Sequence, residues 1–132
     1  MHRLFLGANV LFSAAYRSDA GLLQLWRLKS AILCSSRYAL EEAKINLDEE
    51  QQRSRLLALS RKLHLYDAIQ LSLPRGISLP AKDIPILMAA ISARATHLLT
   101  GDKRHFGPYL GKRIAGSVVL LPADYLKGLH RT

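Results

Sequence analysis

The stretch RLFLGANVLFSAAY, residues 3–16, decides the fold. Its first half contains an apolar run with the length of a buried β-strand, and its second half is typical of a helix. Gly7, Ala8 and Asn9 lie at the crossover between the two. Open α/β folds bind their ligands at strand ends of this kind. The stretch therefore predicts a functional site next to Gly7, a residue that has no side chain to offer to it.

Short apolar runs alternate with helical patterns along the rest of the chain. We predict strands over 4–8, 31–35, 68–73, 96–102 and 117–122. We predict helices over 10–29, 37–47, 49–62, 83–94 and 122–130. Ser36 is the expected N-cap of the second helix, and Pro122 lies near the start of the last.

This alternation indicates an α/β fold, because strands separated by helices form right-handed crossovers in a parallel sheet. We expect a three-layer α/β/α sandwich, Rossmann-like, with a mostly parallel five-stranded sheet whose continuous apolar strands are covered on both faces. No repeat or linker interrupts the pattern, so we interpret residues 1–132 as a single domain.

Composition excludes several classes of protein. Hydrophobic residues make up 49% of the chain and charged residues 22%, which is typical of a globular protein. No apolar run reaches the roughly 18 residues that a membrane span needs. The single cysteine, Cys34, excludes an internal disulfide and a zinc site built from several thiolates. We interpret it as a small buried residue of a cytoplasmic protein.

The chain is strongly basic, with a formal net charge of +9. Basic residues outnumber acidic ones most clearly over residues 94–132, where only Asp102 and Asp124 are acidic. A surface of this kind suits a polyanion, because each phosphate that is neutralised releases counterions. The charge favours nucleic acid as a partner, although an acidic protein would fit it too.

Familiar catalytic motifs are missing from the sequence. GPYLGK, residues 107–112, is one residue short of a phosphate-binding P-loop, and Arg113 stands where that loop needs Ser or Thr. There is no GxSxG elbow. We interpret His97 and His105 as hydrogen-bonding residues rather than as ligands or acid–base groups.

Three carboxylates form the strongest chemical signal. Asp102 ends the apolar strand in LLTGD, where a carboxylate at a buried edge needs a partner. Asp83 starts the helical stretch DIPILMAAISARA, and Glu42 lies in the helix after Ser36. Singly, Asp83 is explained as an N-cap, and Glu42 as a solvated side chain like its neighbour Glu41. Together, the three acids are expected at the carboxyl edge of the sheet. Their carboxylate oxygens would be suitable ligands for Mg²⁺ or Mn²⁺.

The sequence resembles the PIN domains, metal-dependent ribonucleases that include the VapC-like toxins of bacterial and archaeal toxin–antitoxin pairs. The matching segments are LFLGANVLFSAA, SSRYALEEAKINL, KDIPILMAAISARATHLLTGDKRHF and VVLLPADYL. They follow the family's order and cover nearly the whole chain. The third segment is the most specific, since it holds both Asp83 and Asp102.

The resemblance implies a PIN-like α/β/α sandwich with a cluster of acids that holds Mg²⁺ or Mn²⁺. The acids that match the family's pattern are Glu42, Asp83 and Asp102. The resemblance prefers Glu42 to Glu41 because Leu47 follows Glu42 by five residues, as in the family's helix. Periodicity alone does not decide which of the two glutamates is the metal ligand.

The chain departs from the family at its first strand. PIN domains usually read DANVLFSA where this chain reads GANVLFSA, so Gly7 replaces the first metal-binding aspartate. Asn9, which supports the site in the family, is retained, and Thr100 stands close to the second strand end. We expect the lost carboxylate to lower the reaction rate on the order of a hundredfold or more.

Two functions remain open from the sequence. The first is a metal-dependent endoribonuclease, a possible toxin, that cleaves single-stranded RNA and contacts its phosphates through Lys103, Arg104 and Lys112. The second is a catalytically degenerate PIN domain that binds RNA or a protein, which Gly7 favours. A nucleotide-binding α/β protein is a weaker third reading, because no phosphate-binding glycine loop follows the first strand.

Expected partners follow from the same resemblance. PIN-domain toxins commonly form homodimers and are blocked by an antitoxin protein, so we expect both kinds of partner and no membrane association. A cluster of apolar residues between 22 and 28, centred on Trp26, is either part of the core or an interface.

Overall fold

The computed structural model of the protein describes residues 1–70 and 72–129. Within these residues lie six strands and five α-helices. In chain order they are β1 (His2–Leu6), α1 (Ala8–Tyr16), β2 (Ala31–Ser35), α2 (Arg37–Asn46), α3 (Glu50–Ser60), β3 (His64–Leu65), α4 (Ile84–Ser92), β4 (His97–Leu99), β5 (Arg113–Ile114), β6 (Ser117–Leu120) and α5 (Pro122–Gly128). Short 3₁₀ helices span Gly21–Arg27, Ala81–Asp83 and Gly107–Tyr109.

The strands form one sheet in the order β3-β2-β1-β4-β6-β5. Every neighbouring pair is parallel except β5 with β6, so the expected mostly parallel sheet is confirmed with six strands instead of five. The strand order reverses after β3. Because crossovers are right-handed, this reversal brings α4 to the face opposite α1, α2 and α3, which gives the predicted three layers. Contacts of α1 with both α2 and α3 agree with their sharing one face.

The two central strands position the functional end of the sheet. Leu4, Phe5 and Leu6 of β1 are fully buried, as are Leu98 and Leu99 of β4, because helices cover both faces. The backbone N–H of Gly7 donates to the carbonyl of Leu99 at 3.0 Å, just beyond the last pair of the ladder. The carboxyl ends of β1 and β4 therefore lie side by side at the point where the strand order reverses, which is where open α/β sheets bind ligands.

The predicted strand over 68–73 is wrong. Residues 68–70, 72 and 73 belong to no strand, and Leu71 lies outside the described residues. The edge strand is β3, which begins earlier and pairs with Cys34 and Ser35 of β2. The apolar side chains after β3 do not form a buried row, and Ile69 is 87% exposed. A parallel strand needs a neighbouring strand to pair with, and residues 68–70, 72 and 73 pair with none.

The predicted helix over 10–29 is divided in two. Helix α1 ends at Tyr16, and Arg17 is already extended, with a φ of −140°. Residues 17–20, RSDA, carry no large apolar side chain to bury, so nothing favours a further helical turn there. The chain resumes as the 3₁₀ helix Gly21–Arg27.

The other predicted helices are confirmed within a few residues. The Ser36 hydroxyl accepts a hydrogen bond from the backbone N–H of Ala39 at 3.1 Å, so it caps α2 as expected. Pro122 begins α5, while His130 at the end of the predicted helix lies outside the described residues. None of the described helices is long and apolar enough to cross a membrane.

The sequence analysis missed the hairpin between β5 and β6. Its two-residue turn consists of Ala115 and Gly116, with φ angles of 49° and 91°. Positive φ at both central positions is the conformation of a type I′ turn, which is common in two-residue hairpins, and Gly116 adopts it without strain. The strand it adds is the antiparallel edge of the sheet.

The apolar cluster on the 3₁₀ helix Gly21–Arg27 packs inward. Leu25 is fully buried, and Leu22, Trp26 and Leu28 pack against the core. The indole N–H of Trp26 donates to the carbonyl of Leu59 at 3.1 Å. These contacts assign most of the cluster to the core, although Trp26 stays partly accessible.

A group of aromatic rings packs at the opposite, amino-terminal edge of the sheet. The ring centroid of His97 lies 4.6 Å from that of His2 and 5.0 Å from that of Tyr125. Burial lowers the pKa of His97, and the neighbouring His2 and Arg113 lower it further. The folded protein therefore resists protonation of His97.

This packing predicts a pH-dependent stability. Below the usual histidine pKa of 6.5, the unfolded chain takes up a proton at His97 that the folded chain resists, so the free energy of unfolding falls as the pH drops. Urea denaturation between about pH 7.5 and about pH 5.5 measures this fall. We expect a smaller fall in His97→Asn than in the natural protein. His64→Asn, which alters an exposed histidine of β3, is the matched control and keeps the natural fall. Equal falls in all three proteins would contradict the assignment.

Candidate metal site

A pocket of about 400 Å³ opens at the carboxyl ends of β1 and β4. Its wall includes Gly7 after β1, the strand end after β4, the middle of α2 and the start of α4. The polar side chains that line it belong to Asn9, Glu42, Asn46, Lys82, Asp83, Thr100 and Asp102. The structure thus brings the three sequence-predicted acids to one pocket.

Asp83 is the most buried of these acids. It ends the 3₁₀ turn that leads into α4, and only 8% of its surface is exposed. It occupies the N-cap position of α4, yet its side chain makes no capping hydrogen bond, so the capping role expected from the sequence is not realised. Burial raises the pKa of Asp83, and the negative charge of Asp102 raises it further. A carboxylate in such a place is stabilised by a nearby cation.

Asp102 shapes the turn that follows β4. Its Oδ1 accepts hydrogen bonds from the backbone N–H groups of Arg104 and His105, both at 3.0 Å. Burial by itself would raise the pKa of Asp102, but these hydrogen bonds and the side-chain hydrogen bond from His105 outweigh it and lower the pKa. Asp102 is therefore held as a carboxylate, with its second oxygen, Oδ2, facing the other acid.

His105 joins the two aspartates, which the sequence analysis did not predict. Its Nδ1 lies 2.9 Å from Oδ2 of Asp102 and 3.0 Å from Oδ2 of Asp83. One possible metal ligand atom from each of these three residues lies within 4.8 Å of the others. The available signal was the spacing, since His105 follows Asp102 by three residues at a strand end, a separation that one turn brings together.

Glu42 lies on α2 at the side of the same pocket. It does not belong to the compact group formed by Asp83, Asp102 and His105. Glu41 is exposed and lines a separate groove between α2 and α3. Of the two glutamates that the sequence left open, the structure therefore brings only Glu42 to the pocket.

Tyr38 links Glu42 to the segment that carries Asp83. Its hydroxyl donates to the carbonyl of Lys82 at 2.8 Å. Burial raises the pKa of Tyr38, the negative charge of the nearby Glu42 raises it further, and the pKa reaches about 12. The hydroxyl consequently stays protonated and ties α2 to the start of α4.

Two further polar residues organise the strand ends. The side-chain Oδ1 of Asn9 accepts a hydrogen bond from the backbone N–H of Gly101 at 3.0 Å. The hydroxyl of Thr100, which is only 2% exposed, accepts one from the backbone N–H of Asp102 at 3.1 Å. Asn9 therefore connects the end of β1 to the end of β4, while Thr100 fixes the backbone of Asp102.

The basic residues that the sequence predicted as phosphate contacts are exposed. Lys103 and Arg104 are exposed on the turn directly after Asp102, and Lys112 is exposed where the chain enters β5. None of these three lines the pocket itself. Lys82 does line it, and the sequence analysis did not single this residue out.

Comparisons with known proteins show the fold and no more. No protein-family model matches the sequence, and no curated protein matches it in a sequence comparison. The structure is similar to a chain in the crystal structure of VapBC2 from Rickettsia felis bound to a DNA fragment from their promoter, with a TM-score of 0.62. The two chains are 19% identical, and the match covers 89% of this chain and 96% of that one.

Proposed function

We propose that the protein is a metal-dependent endoribonuclease of the PIN-domain type, which cleaves single-stranded RNA at the pocket between β1 and β4. The observation that carries the proposal is the buried Asp83, which lines the pocket and whose Oδ2 has no hydrogen-bond partner among the described residues. A buried carboxylate oxygen of this kind is costly unless a cation or a proton compensates it.

The donor set fits a divalent metal ion. Asp83 and Asp102 would hold Mg²⁺ or Mn²⁺, and Glu42 would complete the acidic side of the pocket. The metal would supply an activated water and stabilise the charge that develops on the scissile phosphate. Gly7 supplies no ligand, so this chain has fewer acids for the task than the PIN pattern.

Other residues, in the pocket and on the exposed surface outside it, fix the geometry of the acids and bind the substrate. Asn9 and Thr100 fix the two strand ends, so the carboxylates keep their separation when the RNA binds. Lys103, Arg104 and Lys112 would contact phosphates along the strand, and Lys82 would contact one at the pocket wall. These contacts orient the scissile phosphate toward the acids.

Gly7 favours a second candidate function, a non-catalytic RNA- or protein-binding module. The first strand ends at the pocket without a carboxylate, because the residue that follows β1 there is Gly7. Such a module would bind RNA in a salt-sensitive way and leave it intact.

We also propose that the protein works with a protein partner, as the antitoxin-blocked toxins of the family do, and that it forms a homodimer. The similarity in fold to a chain of VapBC2 supports the search for such a partner. A toxin of this kind would meet both its partner and its RNA in the cytoplasm.

Cleavage of a labelled single-stranded RNA pool, with Mn²⁺ and with EDTA, distinguishes the two functions. The proposal predicts cleavage products in Mn²⁺ and none in EDTA. RNA that is bound but intact at every Mn²⁺ concentration would favour the binding module.

The basic turn gives a separate prediction about binding. Each phosphate contact to a single strand contributes about 0.7 to the slope of log Kobs against log salt concentration. The double variant Lys103→Ala/Arg104→Ala should therefore lower this slope by roughly 1.4. Fluorescence anisotropy of a labelled RNA in EDTA, measured across a salt series, gives the slope without cleavage.

Arg61→Ala/Lys62→Ala is the matched control for this measurement. It also removes one arginine and one lysine, both exposed, just beyond α3 and ahead of β3. We expect it to keep the natural slope. If both double variants lower the slope equally, RNA binds through the overall charge and the basic turn has no special role.

A further inference from the structure

The imidazole of His105 lies where two carboxylates converge. Its Nδ1 is 2.9 Å from Oδ2 of Asp102 and 3.0 Å from Oδ2 of Asp83. A ring nitrogen carries at most one proton, and both carboxylate oxygens can only accept one when they are ionised. The Nδ1–H therefore completes a hydrogen bond with one aspartate and leaves the other without a donor.

The unsatisfied partner is Asp83. The hydrogen bond of Nδ1 runs to Asp102, while Oδ2 of Asp83 has no hydrogen-bond partner among residues 1–70 and 72–129. Asp83 is 8% exposed, so water reaches it poorly. An ion bound by all three groups would satisfy both carboxylates at once, which a single proton cannot do.

The spacing of the three atoms suits a metal ion. Adjacent ligands in an octahedral site with bonds of about 2.1 Å lie about 3.0 Å from one another. The two distances from Nδ1, 2.9 Å and 3.0 Å, match this edge length. Glu42 lies outside the compact group, so the nearest third donor is a nitrogen and not a third carboxylate.

We propose that His105 is a direct ligand, through Nδ1, of the divalent ion held by Asp83 and Asp102. The inference rests on the proposed function, because it concerns the same metal. A mixed nitrogen–oxygen site has a definite preference: imidazole suits transition metals, whereas Mg²⁺ takes oxygen ligands almost exclusively. His105 therefore biases the pocket toward transition-metal dications such as Mn²⁺, Co²⁺ and Zn²⁺, and against Mg²⁺.

Pulsed electron paramagnetic resonance of the Mn²⁺-loaded protein tests the inference without any activity assay. A coordinated imidazole modulates the electron spin echo through its nitrogen nucleus. We expect this modulation in the natural protein and its loss in His105→Asn. His97→Asn, which removes a histidine from the other end of β4, is the matched control and keeps the modulation.

His105→Asp serves as a second variant, since it replaces the nitrogen with an oxygen donor. We expect it to bind Mn²⁺ without nitrogen modulation. Titration calorimetry should show that both His105 variants bind Co²⁺ about tenfold or more weakly than the natural protein. For His105→Asp, we expect the Mg²⁺ affinity to change less than the Co²⁺ affinity.

Three results would overturn the inference: no Mn²⁺ binding by the natural protein, bound Mn²⁺ without nitrogen modulation, or modulation that persists in His105→Asn. The same measurements distinguish failure of this inference from failure of the proposed RNA cleavage. RNA cleavage without nitrogen modulation rejects the His105 ligand alone. Nitrogen modulation without RNA cleavage supports the ligand and rejects the ribonuclease.

Discussion

Gly7→Asp should raise the rate of Mn²⁺-dependent RNA cleavage on the order of a hundredfold. Gly7 lines the pocket directly after β1, so an aspartate there would add a carboxylate to the acidic group. The backbone accepts the change, since the φ angle of Gly7 is −71° and any residue adopts it. A Cβ would lie 3.4 Å from the Leu99 carbonyl oxygen and 3.9 Å from Cγ2 of Ile86, which are ordinary contacts.

Gly7→Asn is the matched control, because asparagine has the same shape without the charge. We expect it to cleave at the natural rate. Single-turnover rates at saturating Mn²⁺ measure the effect, and melting temperatures show that both variants fold. Equal rates for Gly7→Asp and the natural protein would show that the end of β1 contributes nothing to catalysis in this chain.

Asp102→Asn should abolish cleavage, with a loss of a hundredfold or more. Asparagine keeps an Oδ1 that can accept the two backbone hydrogen bonds from Arg104 and His105, so the turn after β4 survives. What is lost is the negative charge beside Asp83, and with it one of the two carboxylates that we propose as metal ligands.

Asp124→Asn controls for a general effect of charge. Asp124 is exposed in the first turn of α5 and does not line the pocket, so the variant should cleave at the natural rate. Circular dichroism confirms that both variants are folded. Cleavage by Asp102→Asn at the natural rate would reject the metal role of this residue.

The central strands were predictable because burial on both faces leaves a clear mark in the sequence. β1 and β4 contain continuous apolar runs, residues 4–6 and 98–99, and the structure buries these runs completely. The run over 68–73 has a similar composition, yet its Ile69 is exposed. What separates the two cases is a neighbour in the sheet. The edge position was taken by β3, whose pairing with Ser35 depends on where α3 ends, and local sequence does not fix that point.

The candidate site was predictable to the extent that it depends on topology. Parallel strands bring their carboxyl ends to one edge, so Asp102 and the start of α4 were expected to meet there. The rotation of α2 decides between Glu41 and Glu42, and it depends on packing against α1. His105 was predicted as a hydrogen-bonding residue, which is confirmed. Its position between the two aspartates was not predicted, because it depends on a turn that Asp102 builds with its own side chain. Residue types alone do not predict the conformation of that turn.

The most direct test of the account is the single-turnover cleavage of a labelled single-stranded RNA by the natural protein in Mn²⁺. EDTA and Asp102→Asn provide the negative controls, and Gly7→Asp provides the positive one. We predict cleavage by the natural protein that both negative controls abolish, at a rate below that of Gly7→Asp. An RNA that Gly7→Asp cleaves and that the natural protein leaves intact at every Mn²⁺ concentration would contradict the account, and the natural function would then be binding.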